Sequence, residues 1–137
     1  MRKRTYGREL ALQMLYQIDI THEAPEAVLS NFWETQEKPI QEQVKNFTTE
    51  LVKGVMQNLA VIDAKISEYA ANWQLKRMAV VDRNILRLSC YELLFREDIP
   101  PKVSINEAVE LAKKYSGQEA GKFVNGILDR IKTEKNK

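Results

Sequence analysis

The sequence predicts an all-α protein, a compact helical bundle of about seven helices that forms one domain over residues 1–137. Apolar residues recur at the spacing of about 3.6 residues that is typical of helices, and no segment shows the strict alternation of a β-strand. Hydrophobic residues make up 44% of the chain and charged residues 29%, a balance typical of globular proteins. Amphipathic helices without a sheet have to bury their apolar faces against one another, which gives a bundle.

The first half of the chain carries the signals of four helices. From Arg8 onward the apolar residues follow a helical period, and basic residues lie at the N-terminal end of this first helix. Pro25 starts the second helix, because proline is tolerated in a first helical turn. The apolar positions between Ile40 and Ala71 extend too far for one short helix. We therefore expect two helices there, with a bend near Asn58.

Three further helices are predicted in the second half. The apolar pattern from Val80 to about Phe95 gives the fifth helix, and Pro100-Pro101 ends it. The segment Ser104-Ile105-Asn106-Glu107 has the spacing of a capping box, so we expect the sixth helix to begin at Ser104. Gly117 ends that helix, because glycine readily adopts the left-handed conformation of helix ends, and a last helix follows.

The sequence contains few residues that could form a catalytic or metal-binding site. The single cysteine, Cys90, excludes an internal disulfide, and with the single histidine, His22, it forms no zinc-binding cluster. We expect His22 in a polar turn and Cys90 in the core, not as a nucleophile. No segment has the glycine spacing of a nucleotide-binding loop or approaches the ~20 apolar residues of a membrane span. We therefore expect a cytoplasmic binding protein that is not an enzyme, has no cofactor and no metal, and does not enter a membrane.

The charge of the chain is unevenly distributed. Residues 1–8, here called the basic arm, hold four cations and no acid, and residues 130–137, the basic tail, hold four cations and one acid. The residues between them hold 13 basic and 18 acidic side chains, a net charge of −5. This asymmetry favours a polyanion as the partner of the basic ends. The alternative is that the terminal charges only keep the protein soluble.

The basic arm combines cations with aromatic rings, which is the combination that binds single-stranded RNA. Its cations are Arg2, Lys3, Arg4 and Arg8, and Tyr16 follows on the same helix. Cations bind phosphates, while flat rings stack on unpaired bases. The sequence therefore predicts RNA-binding residues here.

Two other features leave alternatives open. Arg83 and Arg87 are four residues apart, a spacing at which like charges destabilise a helix, so either Asp82 and Glu92 or an external partner should compensate them. Phe123, which follows Lys122, could be either a core residue or an exposed stacking ring.

Four segments of the chain resemble one known family, in the same order. They are Arg8–Tyr16, Asp82–Leu93, Val103–Tyr115 and Lys122–Asp129. These segments are similar to those of the NusB transcription antitermination family, and the resemblance covers essentially the whole chain. The later two segments together are the specific part of it.

The resemblance implies a fold of two small helical subdomains and a role in the processive transcription of ribosomal RNA operons. In that family the protein pairs with ribosomal protein S10, also called NusE, and the pair binds the single-stranded boxA element of nascent RNA. The complex then joins other Nus factors on RNA polymerase and suppresses termination. By position, Arg4 and Arg8 with the region of Lys122 and Phe123 are implied on the RNA side. Asp82, Arg87 and Tyr91 are implied on the NusE side.

Two other classes of protein remain as alternatives, a domain of an RNA-modifying enzyme and a structural adaptor. The helical N-terminal domain of ribosomal RNA cytosine methyltransferases shares the Asp-Arg-x-x-Leu-Arg type of segment but precedes a large catalytic domain, which the sequence to Lys137 does not contain. A structural helical adaptor with solubilising ends is the other. The sequence also leaves open whether the protein is a monomer or a homodimer.

Overall fold

The computed structural model describes residues 2–70 and 72–135, and within them it contains seven α-helices and no strand. The helices are α1 (Lys3–Thr21), α2 (Pro25–Glu34), α3 (Glu42–Gln57), α4 (Leu59–Tyr69), α5 (Val80–Phe95), α6 (Pro101–Tyr115) and α7 (Gln118–Lys135), and a single 3₁₀ turn lies at Leu75–Arg77. The prediction of an all-α fold with about seven helices is confirmed. The helices form two compact units, α1 to α3 and α4 to α7, which divide between Gln57 and Asn58.

The N-terminal unit is organised around the contact between α1 and α3. Every residue of α1 from Gly7 to Leu12 is buried, so this part of the helix is covered on all sides. Further along, Met14, Leu15 and Ile18 are buried at the helical spacing of an amphipathic helix. The first helix begins at Lys3 and not near Arg8, so nearly all of the basic arm is helical. The helix therefore extends one turn further toward the N-terminus than the apolar period from Arg8 indicates, because Tyr6 is the only apolar residue from Lys3 to Tyr6.

A glycine sets how closely α1 approaches α3. A Cβ atom added to Gly7 would lie 2.8 Å from Cδ2 of Phe47, nearer than a methyl group tolerates. Beside it, the buried hydroxyl of Thr48 donates to the carbonyl of Val44 at 2.7 Å and lies 3.3 Å from the carbonyl oxygen of Gly7. The absence of a side chain at Gly7 therefore allows the ring of Phe47 to lie directly against the first helix.

The predicted breaks of the first half agree with the structure. Pro25 occupies the first turn of α2, and α3 ends at Gln57 just before Asn58. His22 ends α1 in the left-handed conformation, with φ of 61°, and its backbone N–H donates to the carbonyl of Ile18 at 2.8 Å. The expected polar turn at His22 is thus confirmed.

The C-terminal unit shows where the helix-start prediction was wrong. The sixth helix begins at Pro101 and not at Ser104, and proline suits this position because its missing N–H would have no partner in the first turn. Ser104 is buried within α6, where its hydroxyl lies 2.8 Å from that of Ser89 on α5. The serine is therefore a contact between two helices and does not cap its own helix. The expected end of α6 is confirmed, since Gly117 has a φ of 106°.

The like charges of Arg83 and Arg87 are compensated within the C-terminal unit. Arg87 makes a bidentate ion pair with Asp63 of α4, with Nε to Oδ1 at 2.8 Å and Nη2 to Oδ2 at 3.0 Å. Arg83 donates to the carbonyls of Leu75 and Lys76, each at 3.4 Å. The carboxylate that holds Arg87 thus comes from another helix, and Asp63 was not among the residues that the sequence suggested.

Replacing Gly7 with alanine should destabilise the protein. The new methyl group would press on the buried ring of Phe47, so we expect the free energy of unfolding to fall by about 1–3 kcal/mol, as overpacked cores do. Urea denaturation followed by circular dichroism measures this. Gly126→Ala is the control, because a Cβ there would have no neighbour within 4 Å. That variant should gain up to about 1 kcal/mol from helix propensity. Equal shifts in both variants would contradict the role given to Gly7.

Replacing Asp63 with alanine should also destabilise the protein, because it leaves the guanidinium of Arg87 without its carboxylate. The side chain of Arg87 is 11% exposed and that of Asp63 is 25% exposed. We expect a loss of about 1–3 kcal/mol in the same urea experiment.

A matched control for this loss is Asp98→Ala. Asp98 makes the same bidentate contacts to Arg96, at 2.9 and 3.0 Å, but its side chain is 49% exposed. Removing such an exposed carboxylate should change the stability by no more than about 1 kcal/mol. If Asp63→Ala lowers the free energy of unfolding no more than Asp98→Ala does, burial does not strengthen the ion pair between Asp63 and Arg87.

Candidate nucleic-acid interface

The basic arm forms the first turns of α1 and concentrates positive charge at the end of that helix. Arg2, Lys3 and Arg4 are exposed, and no acidic residue lies in the first turn. The Nζ of Lys3 donates to Oε1 of Gln43 on α3 at 2.5 Å, which directs this side chain. The N-terminus of a helix already carries a partial positive charge, so the three cations add to it and attract anions.

Arg4 and Arg8 lie one turn apart and share the ring of Phe47. Their guanidinium carbons are 4.9 Å and 5.4 Å from the ring centroid, within the range of cation–π contacts. Arg4 is exposed, whereas Arg8 is only 3% exposed, so the structure separates Arg8 from the open cations of the arm. Sequence reasoning missed Phe47, because its place on the apolar stripe of α3 marks it only as a core residue.

Tyr16 is exposed, but it does not lie beside the arm. It follows Arg4 by twelve residues on the same helix. That separation corresponds to about 18 Å along the helix axis and about 120° around it. A single nucleotide is too short to contact both residues, whereas an extended strand of several nucleotides is long enough.

A groove of about 750 Å³ lies beside the arm in the N-terminal unit. It is bounded by the N-terminal turns of α1, including Lys3 and Tyr6, and by the connection from Thr35 to Gln41. Lys38 lies on this connection and adds a cation that the sequence analysis did not single out. The lining thus holds two exposed lysines and a tyrosine against one carboxylate, Glu37, a balance that is mildly favourable to a phosphate backbone.

In the C-terminal unit, Lys122 and Phe123 lie next to an aromatic residue that the sequence analysis left without a role. The ring of Phe123 is half-buried and meets the indole of Trp73 edge-on, with centroids 5.8 Å apart and planes at 75°. Trp73 is 58% exposed, the most exposed large hydrophobic side chain in the described part of the protein. Lys122 is exposed and lies 3.4 Å from a carboxylate oxygen of Glu119. Phe123 is therefore both a packing residue and part of an open aromatic pair.

The Trp73–Phe123 pair separates two grooves of opposite charge. The first, here called the cationic groove, has a volume of about 260 Å³. Its lining consists of Tyr69, Ala70, Asn72, Trp73, Lys122, Phe123, Gly126, Ile127 and Arg130. The second, here called the acidic groove, has a volume of about 560 Å³. Its lining consists of Trp73, Arg77, Met78, Ala79, Asp82, Ser116, Glu119, Ala120 and Phe123.

The three residues expected on the NusE side do not form one patch. Asp82 lies in the first turn of α5 and lines the acidic groove, and its Oδ1 is buried without a hydrogen-bond partner among the described residues. Tyr91 follows it by nine residues, which places it about 180° around the helix axis. Tyr91 is half-buried and stacks on the exposed ring of Phe95, with centroids 5.7 Å apart. Arg87 is held by Asp63, so its guanidinium already has a carboxylate partner.

The residues considered for chemistry lie apart from these surfaces. Cys90 is fully buried, and burial raises the pKa of its thiol to about 12, which disfavours the nucleophilic thiolate. The expected core position of Cys90 is confirmed. Within residues 2–70 and 72–135 no three His, Cys, Asp or Glu side chains are grouped to hold a metal ion. The helices of the same residues include none with the length and apolar character needed to cross a membrane.

Comparisons with known proteins identify one family. The sequence model of the NusB family matches residues 5–133. The transcription antitermination protein NusB of Anaeromyxobacter dehalogenans (strain 2CP-1) is 50% identical over 129 residues, which cover 94% of this chain and 89% of the relative.

Two solved structures are similar over nearly the whole chain. T. maritima NusB superposes with a TM-score of 0.87 at 41% identity, covering 98% of this chain and 92% of that chain. A chain in the crystal structure of antitermination factors NusB and NusE in complex with dsRNA superposes with a TM-score of 0.88 at 30% identity, covering 98% of both chains. The extent of these matches shows that this chain belongs to the NusB family.

Proposed function

We propose that this chain is a transcription antitermination factor that binds boxA-type single-stranded RNA together with NusE and promotes processive transcription of ribosomal RNA operons. The observation that carries the proposal is the separation of charge in a chain of the NusB family. Exposed cations begin α1 and line the cationic groove, while carboxylates line the acidic groove. A structurally similar NusB forms a complex with NusE and dsRNA, which supports both kinds of partner.

On the RNA side, the proposal assigns phosphate contacts to Arg2, Lys3 and Arg4 of the arm and to Lys122. Tyr16 supplies an exposed ring for an unpaired base, and Phe123, which is half-buried, supplies a second ring in the pair that it forms with Trp73. Arg8 belongs to this side as a positioning residue. From its buried place over Phe47 it helps to hold the first turns of α1, on which the exposed cations lie.

On the NusE side, the proposal assigns the direct charge contact to Asp82, supported by Glu119 across the acidic groove. Ribosomal proteins are generally basic, so carboxylates in an apolar groove provide complementary charge. Arg87 acts through Asp63 by fixing α5 against α4. Tyr91, with Phe95, provides a second aromatic contact on another side of α5.

One ion pair connects the two proposed surfaces. Lys122 lines the cationic groove, Glu119 lines the acidic groove, and the two side chains are 3.4 Å apart. An RNA phosphate that attracts Lys122 competes with Glu119 for it. The two side chains are 77% and 90% exposed, so breaking this pair costs no more than about 1 kcal/mol and leaves Glu119 available to a cation of NusE.

The protein acts in this proposal by binding alone, as one RNA-binding domain over residues 1–137 in the cytoplasm. The family match supports the single domain, because it spans both units from residue 5 to residue 133. Bound to NusE, the chain adds its cations to those of a basic protein, and the joined surface holds the RNA for the other Nus factors and RNA polymerase.

A filter-binding assay with a boxA-type oligonucleotide, with and without NusE, tests the function. We expect tight binding in the presence of NusE and at least tenfold weaker binding of an unrelated oligonucleotide of equal length. A double-stranded competitor distinguishes recognition of the single strand from recognition of a duplex. Equal affinity for both single-stranded oligonucleotides at moderate ionic strength would overturn the proposal in favour of a structural adaptor.

The salt dependence of RNA binding tests whether the cations of the basic arm contact phosphates. If Lys3 and Arg4 each contact a phosphate, replacing both with alanine should weaken binding and flatten the slope of log K against log[salt] by about 1.4, two contacts at about 0.7 each. The control is the double variant Lys53→Ala/Lys102→Ala, which removes two exposed lysines of equal charge outside the proposed RNA side. Identical slopes in the arm variant, the control and the parent would exclude the arm from the RNA contact.

Reversing the charge of Asp82 should weaken the binding of NusE. The Asp82→Lys variant would place a cation where a basic partner approaches, and we expect an affinity at least tenfold lower, about 1.4 kcal/mol, by isothermal titration calorimetry. Glu97→Lys changes the net charge equally at an exposed site outside the acidic groove and should bind like the parent. Unchanged affinity of a folded Asp82→Lys variant would remove Asp82 from the interface.

A further inference from the structure

We propose that the cationic groove is a subsite for one unpaired nucleotide, whose base stacks on Trp73 and whose phosphate lies between Lys122 and Arg130. The inference rests on the proposed RNA function and deepens it, because it adds Trp73, Gly126 and Arg130 to the RNA surface. The family resemblance assigned none of these three residues.

The position of Trp73 suits a stacking platform. The backbone N–H of Trp73 donates to the carbonyl of Ala70 at 2.8 Å, in the turn after α4, which fixes the residue in place. On one side the indole meets the ring of Phe123 edge-on, and more than half of its surface is open to solvent. A rigid indole held at its side by a second ring can offer its exposed surface to a nucleobase.

The size of the groove favours a single nucleotide. Its volume of about 260 Å³ lies just below the about 300–1,000 Å³ of sites that enclose drug-sized ligands. One base with its phosphate fits a space of that order, whereas a duplex or a folded peptide does not. Three aromatic residues, Tyr69, Trp73 and Phe123, also line the groove, which favours a flat occupant.

The charge of the groove favours a phosphate. Its described lining residues include two cations, Lys122 and Arg130, and no carboxylate. Arg130 donates one N–H to the carbonyl of Tyr69 at 3.3 Å, which holds its guanidinium at the groove, and a guanidinium has further donors for a phosphate. The acidic groove on the other side of Trp73 has the opposite balance, with Asp82 and Glu119 against Arg77. The nucleotide is therefore assigned to the cationic groove alone.

A glycine in the floor of the groove supports an external occupant. Gly126 lies within α7, where glycine destabilises a helix relative to alanine, and a Cβ there would meet nothing within 4 Å. The packing within the described structure therefore gives no reason for a glycine. An RNA strand that approaches the helix backbone closely does give one, because any larger side chain would fill its space.

Fluorescence of Trp73 provides the direct test. The chain has two tryptophans, so Trp33→Phe leaves Trp73 as the only one. Titrating this variant, bound to NusE, with the boxA-type oligonucleotide should quench its emission, with the same midpoint as filter binding. The single variant Trp33→Phe should itself bind RNA like the parent, since Trp33 lies in α2 and lines neither groove.

Two further variants measure what the subsite contributes. Trp73→Ala should weaken RNA binding by about fivefold to 150-fold, the range expected for one stacked base, without changing the salt slope, because no charge is removed. Gly126→Gln should weaken binding by filling the groove, with every cation and ring still present. Asn125→Gln adds bulk at the neighbouring exposed position of the same helix, outside the groove, and should bind like the parent.

Each result separates the subsite from the wider function. If the parent binds the boxA-type oligonucleotide but Trp73 emission does not change and Gly126→Gln binds normally, the subsite is wrong and the antitermination function stands. If Gly126→Gln binds RNA normally but binds NusE poorly, the groove holds a protein side chain, which also overturns the subsite. If the parent fails to bind the oligonucleotide at all, the proposed function itself is overturned.

Discussion

A guanidinium group that leaves water needs a substitute for its hydration shell, and this requirement shapes both units of the protein. In the N-terminal unit the substitute for Arg8 includes the ring of Phe47, which lies close to α1 because Gly7 has no side chain. In the C-terminal unit it is the carboxylate of Asp63, which holds Arg87 in a two-pronged ion pair. Arg8 lies on α1 with the exposed cations of the arm, and Arg87 lies on α5 with Asp82 of the acidic groove, so each buried guanidinium fixes a helix that carries residues of a proposed surface. Both proposed surfaces thus depend on guanidinium groups that are largely buried.

Much of the fold could be predicted because helical periodicity is a local property. The limits of α5 and the break at Asn58 follow from apolar spacing alone, and both agree with the structure. The predicted start of α6 at Ser104 was wrong. Ser104 stands in a segment with the sequence of a capping box, but it is buried within the helix and contacts Ser89. A capping signal and a buried serine look the same in sequence, and only the neighbouring helix distinguishes them.

The candidate site was less predictable than the fold, since its geometry depends on residues far apart in the chain. The sequence grouped Arg8 with the exposed cations, but its burial depends on Phe47, which belongs to another helix. The sequence left Trp73 without a role, because it stands between α4 and α5 and fits no apolar stripe. Its role depends on its contact with Phe123, fifty residues later in the chain. Both rings line the cationic groove and also the acidic groove. The residue types predicted that cations and aromatic rings would form the site. Tertiary contacts determine which of these side chains are exposed and can bind a partner.

The burial of Cys90 has a practical consequence for labelling. It is the only cysteine of the chain, it has no exposed surface, and its thiol stays protonated at neutral pH because its pKa is about 12. Maleimide and iodoacetamide reagents attack accessible thiolates, so they should leave the native protein unmodified. Two cysteines introduced on the surface would then be the only attachment points for a pair of dyes or spin labels. The natural chain therefore already serves as a background for distance measurements by energy transfer or electron paramagnetic resonance, with no need to mutate its core.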